Sequence, residues 1–295
     1  MGSPRHRACV MSDVEPDFAE VDRSPTEIDV SVAHAARVYD YFLGGTTNFK
    51  VDREAAEHAA AVHPGGLATV RASVRSNRAF LGRVVGWLGR DAGMRQYLDI
   101  GSGIPNGLNV HTVAQQAIPA ARVVYVDNDP IVLAHAHQLL GEITGTGVVD
   151  YLWGDLREPA SVLERAAATL DFAQPVAVLL VGILHFFPDG DDDPYGLVAG
   201  LLDAVPTESH LVVCHLACDI HPVEMREVER RFNKTTAETW QLRNRDEVRG
   251  FFAGLDLVDP GVVQVDQWRP DAGPAPVLPP EGRTNPLWVG VGRKP

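Results

Sequence analysis

Tyr97-Leu98-Asp99-Ile100-Gly101-Ser102-Gly103 decides how this chain is read. Gln96 to Ile100 is a short apolar run that enters a glycine turn, and a helical pattern follows from Asn109 to Ala117. Glycine lets the backbone turn sharply and lets a ligand approach closely. The helix beyond the turn presents N–H groups with no partner of their own. Strand, glycine turn and helix in that order are common to dinucleotide and nucleoside sites. Two details point away from a pyrophosphate. The turn runs on through Pro105-Asn106-Gly107-Leu108-Asn109, with no third glycine where a pyrophosphate loop needs one. Asp99, just before the first glycine, puts a carboxylate at the strand tip, which suits a cationic or amine-bearing ligand and opposes a phosphate.

Downstream, strand, loop and helix alternate. Arg122 to Val126 predicts a second strand ending in Asp127, at a distance from the glycine turn that suits a ribose diol. Asp129-Pro130 is a cap followed by proline at the first helical position. Val148 to Trp153 predicts a third strand, followed by Gly154-Asp155-Leu156. There Asp155 can accept from an adenine amino group, with Leu156 against the ring. Val176 to Leu184 is nearly all apolar, as a strand buried on both faces should be. Leu211 to Leu216, Leu257 to Val265 and Leu287 to Val291 complete seven strands, and Glu224 to Leu242 reads as one long charged helix. The last two strands lack a helix between them and should pair antiparallel. The pattern is α/β: a mostly parallel sheet covered by helices on both faces.

Upstream, residues 1–27 are polar and aperiodic and read as a flexible tail. Residues 28–92 read as a helical cap with a glycine-rich loop between its first two helices, and 93–295 as the core with a helical insertion at 222–243. Asp52 looks like the N-cap of the second helix. The 295 residues carry 26 Lys+Arg against 39 Asp+Glu, net −13. Such a surface disfavours non-specific nucleic-acid binding. No apolar run is long enough to span a membrane, and the first residues lack the apolar centre of a signal peptide, so a cytoplasmic protein is expected. Cys214 and Cys218 lack further ligands nearby for a structural zinc, and no metal is expected.

The ordered set Asp99/Gly101/Gly103, Asp127 and Asp155 resembles the class I S-adenosylmethionine-dependent methyltransferases. Ala36-Arg37-Val38-Tyr39-Asp40-Tyr41-Phe42-Leu43-Gly44-Gly45, Asn48-Phe49, Asn77-Arg78-Ala79-Phe80-Leu81, Asn109-Val110-His111, Gln267-Trp268-Arg269-Pro270 and the terminal Gly290-Val291-Gly292-Arg293-Lys294-Pro295 narrow the likeness. They resemble a bacterial S-adenosyl methyltransferase family long classed as a domain of unknown function, from about Ser24 to the end. The resemblance implies a Rossmann-like, seven-stranded sheet with an antiparallel last strand, and S-adenosylmethionine over the strand tips. It implies that Asp99, Gly101, Ser102 and Gly103 surround the methionine part, that Asp127 holds the ribose, that Asn128 lies beside the adenine and that Asp155 reads its amino group. It implies no acceptor.

Arg78, on the helix preceding the first strand, is the candidate partner of the methionine carboxylate. Gly45 and Asn48 are placed to close over the cofactor. Methyl transfer needs alignment and needs a base only if the acceptor must lose a proton early. His185, His215 and Tyr39 are the candidates for that. The segment after the fourth strand, Val181-Gly182-Ile183-Leu184-His185, lacks the Asn/Asp-Pro-Pro-Tyr of nucleic-acid amino-methylating enzymes, so a small-molecule acceptor is expected. The alternatives are a non-catalytic S-adenosylmethionine-binding regulator or scaffold and a nicotinamide oxidoreductase.

Overall fold

The computed structural model describes residues 29–295 except Pro64, Asn106, 141–145, 236 and 237. The tail expected over 1–27 and Cys9 lie outside the described residues. The strands are β1 (Gln96–Ile100), β2 (Arg122–Asp127), β3 (Val148–Trp153), β4 (Ala177–Val181), β5 (His210–Leu216), β6 (Asp256–Leu257), β7 (Val263–Gln264) and β8 (Leu287–Arg293). They form one sheet in the order β3-β2-β1-β4-β5-β8-β6, with β7 also beside β8. β1 to β5 are parallel and β8 runs antiparallel to β5, β6 and β7. β1 is buried at every position, as a central strand covered on both faces must be.

The helices are α1 (Ala35–Leu43), α2 (Lys50–Ala60), α3 (Gly66–Arg90), α4 (Val110–Ala117), α5 (Pro130–Leu140), α6 (Pro159–Ala166), α7 (Asp189–Asp192), α8 (Pro194–Asp203), α9 (Pro222–Thr235) and α10 (Arg245–Gly250). Strand side chains alternate between faces. Tyr97, Tyr125, Leu179 and Val212 pack with Phe80, Val84 and Leu88 of α3 and Ala114 of α4. Leu98, Val124, Leu180 and Val213 pack with Val162 of α6, Leu201 of α8 and Val248 of α10. The first turn of α1, the loop after β1 and the end of β2 therefore converge on the C-terminal edge of the sheet.

Three expectations need correction. The sixth strand is two short ones, because Asp259-Pro260-Gly261 interrupts it: proline has no N–H for a ladder, and the Gly261 N–H closes a turn on the Val258 carbonyl at 2.8 Å. The sheet therefore has eight strands rather than seven. The long charged helix stops in α9. The returning chain is captured by side chains of that helix, with Asn233 bonding both the N–H and the carbonyl of Trp240 and Glu229 Oε1 accepting from the Leu242 N–H. Asp52 is the third residue of α2, not its cap, and its carboxylate accepts from the Phe49 and His34 N–H groups. The chain between β7 and β8 is also held from α3. Arg83 of α3, fully buried, donates to the carbonyls of Val265, Trp268 and Pro274 at 2.8–3.0 Å. Trp268 is likewise core, edge-on to Phe80 and Trp87.

Candidate active site

The loop after β1 supplies the floor. Gly101 sits at φ +74°, and a Cβ there would lie 2.3 Å from Ile183 Cδ1, so both the turn and the approach of the β4 loop require glycine. A Cβ on Gly103 would meet nothing within 4 Å, which leaves open space above it. Ser102 Oγ is buried without a hydrogen-bond partner. Beside this loop Arg78, Leu81, Asp99, Asn109, Tyr125 and Tyr151 line a small cleft. Arg78 reaches it from α3 while also donating to the Leu108 carbonyl. Burial pushes the Asp99 carboxyl up to about 7, with Arg78 pulling the other way and Asp127 adding to the rise.

Asp127 ends β2. One oxygen accepts from the Gly103 N–H at 2.8 Å and the other from the Asp129 N–H at 3.0 Å, which ties the tips of β1 and β2 together. Burial raises its carboxyl above the ordinary range, against those two hydrogen bonds. Each oxygen keeps a lone pair for a further donor. Asn128 donates to Asp155 at 3.1 Å and so joins the β2 and β3 tips, and Arg157 completes the link to Asp192 at 2.6 Å. Leu156 is only 1% exposed and belongs to the core. It packs in the cluster that holds Val124, Val126, Val162 and Leu180.

Gly45 and Asn48 do not join this group. A Cβ on Gly45 would collide with the Asp40 carboxylate, and Asn48 Nδ2 donates to Asp40 at 2.9 Å and to the Gly45 carbonyl at 3.0 Å. Both shape the loop between α1 and α2 around a buried acid. His215 is also engaged on both sides. Its Nδ1 faces the Leu216 carbonyl at 2.8 Å and its Nε2 faces Arg243 Nη1 at 2.9 Å. An arginine N–H only donates, so Nε2 is the acceptor and the ring is neutral. Burial and then Arg243 push its pKa down to about 3. His185 is buried edge-on to Trp240 with Nδ1 lacking a partner, and burial holds it neutral well below the usual range. Tyr39 faces inward: its hydroxyl donates to the Val74 carbonyl at 3.2 Å and accepts from Asn77 Nδ2 at 2.9 Å.

The sequence reading missed what holds the N-terminal helices against the β2 tip. His34 Nδ1 meets Asp129 Oδ2 at 2.9 Å. Arg37, buried, lies 3.7 Å from both Asp52 and Asp129. It also missed Tyr125 and Tyr151, stacked at 4.5 Å on the cleft wall. Their signal was available, since Tyr125 lies two residues before Asp127 and so shares its side of β2.

Strand order, antiparallel β8 and acid-tipped β1 and β2 define the Rossmann-like fold of the class I methyltransferases. The family model for S-adenosyl methyltransferases matches residues 21–295, and the chain belongs to that family, whose cofactor is S-adenosylmethionine. A DUF574-family protein from Streptomyces avermitilis MA-4680 is similar in structure, with 39% identity, 91% of this chain and 100% of that chain covered, and a TM-score of 0.83. A Thermobifida fusca YX protein assigned as a methyltransferase by inference is 36% identical, with 90% and 96% covered and a TM-score of 0.80. No match was found among curated proteins. Among the described residues no group of His, Cys, Asp and Glu is arranged to hold a metal, and no helix is long and apolar enough to cross a membrane.

The residues at the strand tips fit the cofactor. The orphan Ser102 hydroxyl, the open space over Gly103 and a buried carboxyl opposite a guanidinium are the features an amino-acid end joined to a nucleoside would engage.

Proposed function

We propose that this protein is a cytoplasmic methyltransferase acting on a small molecule. The observation that carries the reading is the cleft in which Arg78 and Asp99 stand together beside the glycine turn. A zwitterionic amino-acid end has one charge for each. S-adenosylmethionine, when bound, supplies a methyl carbon whose bond to cationic sulfur breaks, its electron pair going to sulfur, as the acceptor's lone pair bonds to the carbon. In this reading Arg78 holds the carboxylate and Asp99 the ammonium. Asp127 accepts from the ribose hydroxyls, Asn128 lies beside the base, and Asp155 accepts from its amino group. The buried tips keep water away from the reacting atoms and hold their alignment, which is the main contribution such a reaction needs.

The acidic surface, net −13, supports a small acceptor over a nucleic acid. The alternative is a protein that binds the cofactor without turnover; the two locked or desolvated histidines favour it, since neither is set up as a base. Incubation with isotopically labelled S-adenosylmethionine and a low-molecular-weight cell extract separates the two. The transferase reading expects label in a small molecule together with S-adenosylhomocysteine. Binding with no transfer from any extract contradicts it.

A further inference from the structure

Asn77 is 6% exposed, and its Oδ1 is buried with no hydrogen-bond partner. Its amide stands at the end of a short chain of donors. The Val74 carbonyl can only accept, so Tyr39 donates its proton there at 3.2 Å. The Tyr39 oxygen then takes the Asn77 Nδ2–H at 2.9 Å, which leaves Oδ1 on the far side. With the Tyr39 proton on the Val74 carbonyl, turning the amide over would set two acceptors against each other. Burial pushes the Tyr39 phenol up to about 12, so the chain keeps its direction at neutral pH.

The carboxamide stands at the tip of β4. Gly182, with φ +81°, follows that strand, and a Cβ built on it would meet only Asn77 Nδ2, at 3.4 Å. Asn77 and Arg78 are successive residues on α3, and successive helical side chains point about 100° apart. Arg78 lines the cleft with Asp99; Asn77 faces Gly182. In the reading above, the charged end of the cofactor and the Asn77 carboxamide, whose nitrogen faces Gly182, therefore belong to neighbouring but separate parts of the strand edge.

We propose that Asn77 Oδ1 receives the methyl acceptor by taking a hydrogen bond from an N–H or O–H at the atom to be methylated. This deepens the methyltransferase reading and rests on it. The acceptor class is then a neutral amine, amide or hydroxyl compound and not a carboxylate, which has no proton to offer and would face a carbonyl dipole end-on. Oδ1 orients the acceptor's lone pair, and the acceptor's proton leaves to solvent after transfer. Tyr39 is a positioning residue that sets the amide.

The test uses the full chain, labelled S-adenosylmethionine and a low-molecular-weight cell extract, with cofactor affinity measured by calorimetry in parallel. Asn77→Ala is expected to cut transfer at least a hundredfold while changing cofactor Kd less than twofold. Asn77→Asp, which keeps an acceptor oxygen, is expected to retain at least ten times the transfer of Asn77→Ala. Tyr39→Phe, which frees the amide to turn, should lose about tenfold. The labelled product should resist mild alkali. Release of labelled methanol by alkali, as from a carboxyl ester, would overturn the proposal. So would undiminished transfer by Asn77→Ala, equal transfer by the Asp and Ala variants, or a tenfold weaker cofactor Kd, which would give Oδ1 to the cofactor's ammonium. If the unsubstituted protein binds cofactor but transfers nothing, the methyltransferase reading fails and takes this one with it. Transfer by the unsubstituted protein together with any of the other outcomes removes this one alone.

Discussion

Asp99, Asp127 and Asp155 at the tips of β1 to β3 share one sheet edge with His185, His215 and Arg243 around the tips of β4 and β5, and the two groups are built oppositely. Asp127 accepts one hydrogen bond on each oxygen, from the Gly103 and Asp129 N–H groups, and Asp155 accepts from Asn128 and Arg157. Burial holds the Asp99 and Asp127 carboxyls above their ordinary range. Around β4 and β5, Arg243 is fully buried and donates to the Leu184 and Phe187 carbonyls, to His215 and to Asp189. It also lies over the rings of Tyr195 and Phe251. One half of the edge keeps unmet polar capacity, at a cost in stability, which is what a binding site requires. The other half, apart from His185 Nδ1 and Arg243 Nε, closes its polar groups on themselves and serves as a frame.

Removing the frame should therefore cost folding and little binding. Arg243→Met is expected to destabilise the protein by about 3–5 kcal/mol, because several buried acceptors lose their donor. The folded variant should bind S-adenosylmethionine within about threefold of the unsubstituted protein. Urea denaturation and calorimetry read the two effects; a loss of stability below about 1 kcal/mol would break the comparison.

Removing an acid should do the reverse. Asp127→Ala is expected to weaken cofactor binding at least tenfold, the equivalent of about 1.5–3 kcal/mol for a carboxylate holding two hydroxyls. Unchanged affinity would remove the ribose assignment.

The acid half was legible in the sequence because its chemistry is local. Asp99 lies two residues before Gly101, and Asp127 and Asp155 follow apolar runs whose length and alternation mark strands. The frame was not legible, because Arg243 meets Leu184 and His215 across long stretches of chain, and no periodicity connects them. For the same reason His215 read as a candidate base while the fold gives both its nitrogens to other groups. The split of the sixth strand was written in Asp259-Pro260-Gly261, a turn signal inside an apolar run. The capture of Trp240 and Leu242 by α9 side chains had no sequence signal of its own, and the helical pattern was extended through it. Asn77 stood in the family motif, but its role needs Val74 and Tyr39 to fix the amide.

A smaller effect separates Asp99 from the other acids. With its carboxyl pushed up to about 7, mainly by burial, it must lose a proton to meet an ammonium group. Cofactor affinity should then fall about fivefold from pH 7 to pH 6, with proton release detectable by calorimetry in buffers of different ionisation enthalpy. Asp99→Asn should bind more weakly and lose that slope. A flat profile in the unsubstituted protein would take Asp99 out of the ammonium role.

The smallest effect concerns the tie between α1 and the β2 tip. Burial alone would lower the pKa of His34, but its hydrogen bond to Asp129 and the surrounding acids outweigh this and raise it. Asp129 is lowered: its hydrogen bond with His34 and the charges of His34 and Arg37 outweigh burial, which acts the other way. A raised histidine contributes below its unfolded value, about 6.5, and loses its contribution as pH climbs through the folded value. A lowered aspartate contributes above its unfolded value and loses its contribution as pH drops through the folded value. The tie is thus strongest between about pH 4 and 6.5. His34→Gln should cost up to about 1 kcal/mol at pH 6 and less at pH 8, and hydrogen exchange of α1 amides should follow. Equal costs at both pH values would contradict the pairing.

In the reading proposed above, the carboxylate-tipped half of the edge holds a nucleoside joined to an amino-acid end and not a phosphate bridge. Calorimetric titration of the unsubstituted full chain with S-adenosylhomocysteine, repeated in the presence of excess NAD, tests it most directly. One molecule should bind per chain, with an affinity that NAD leaves unchanged. No binding at millimolar nucleoside, or displacement by NAD, would contradict it.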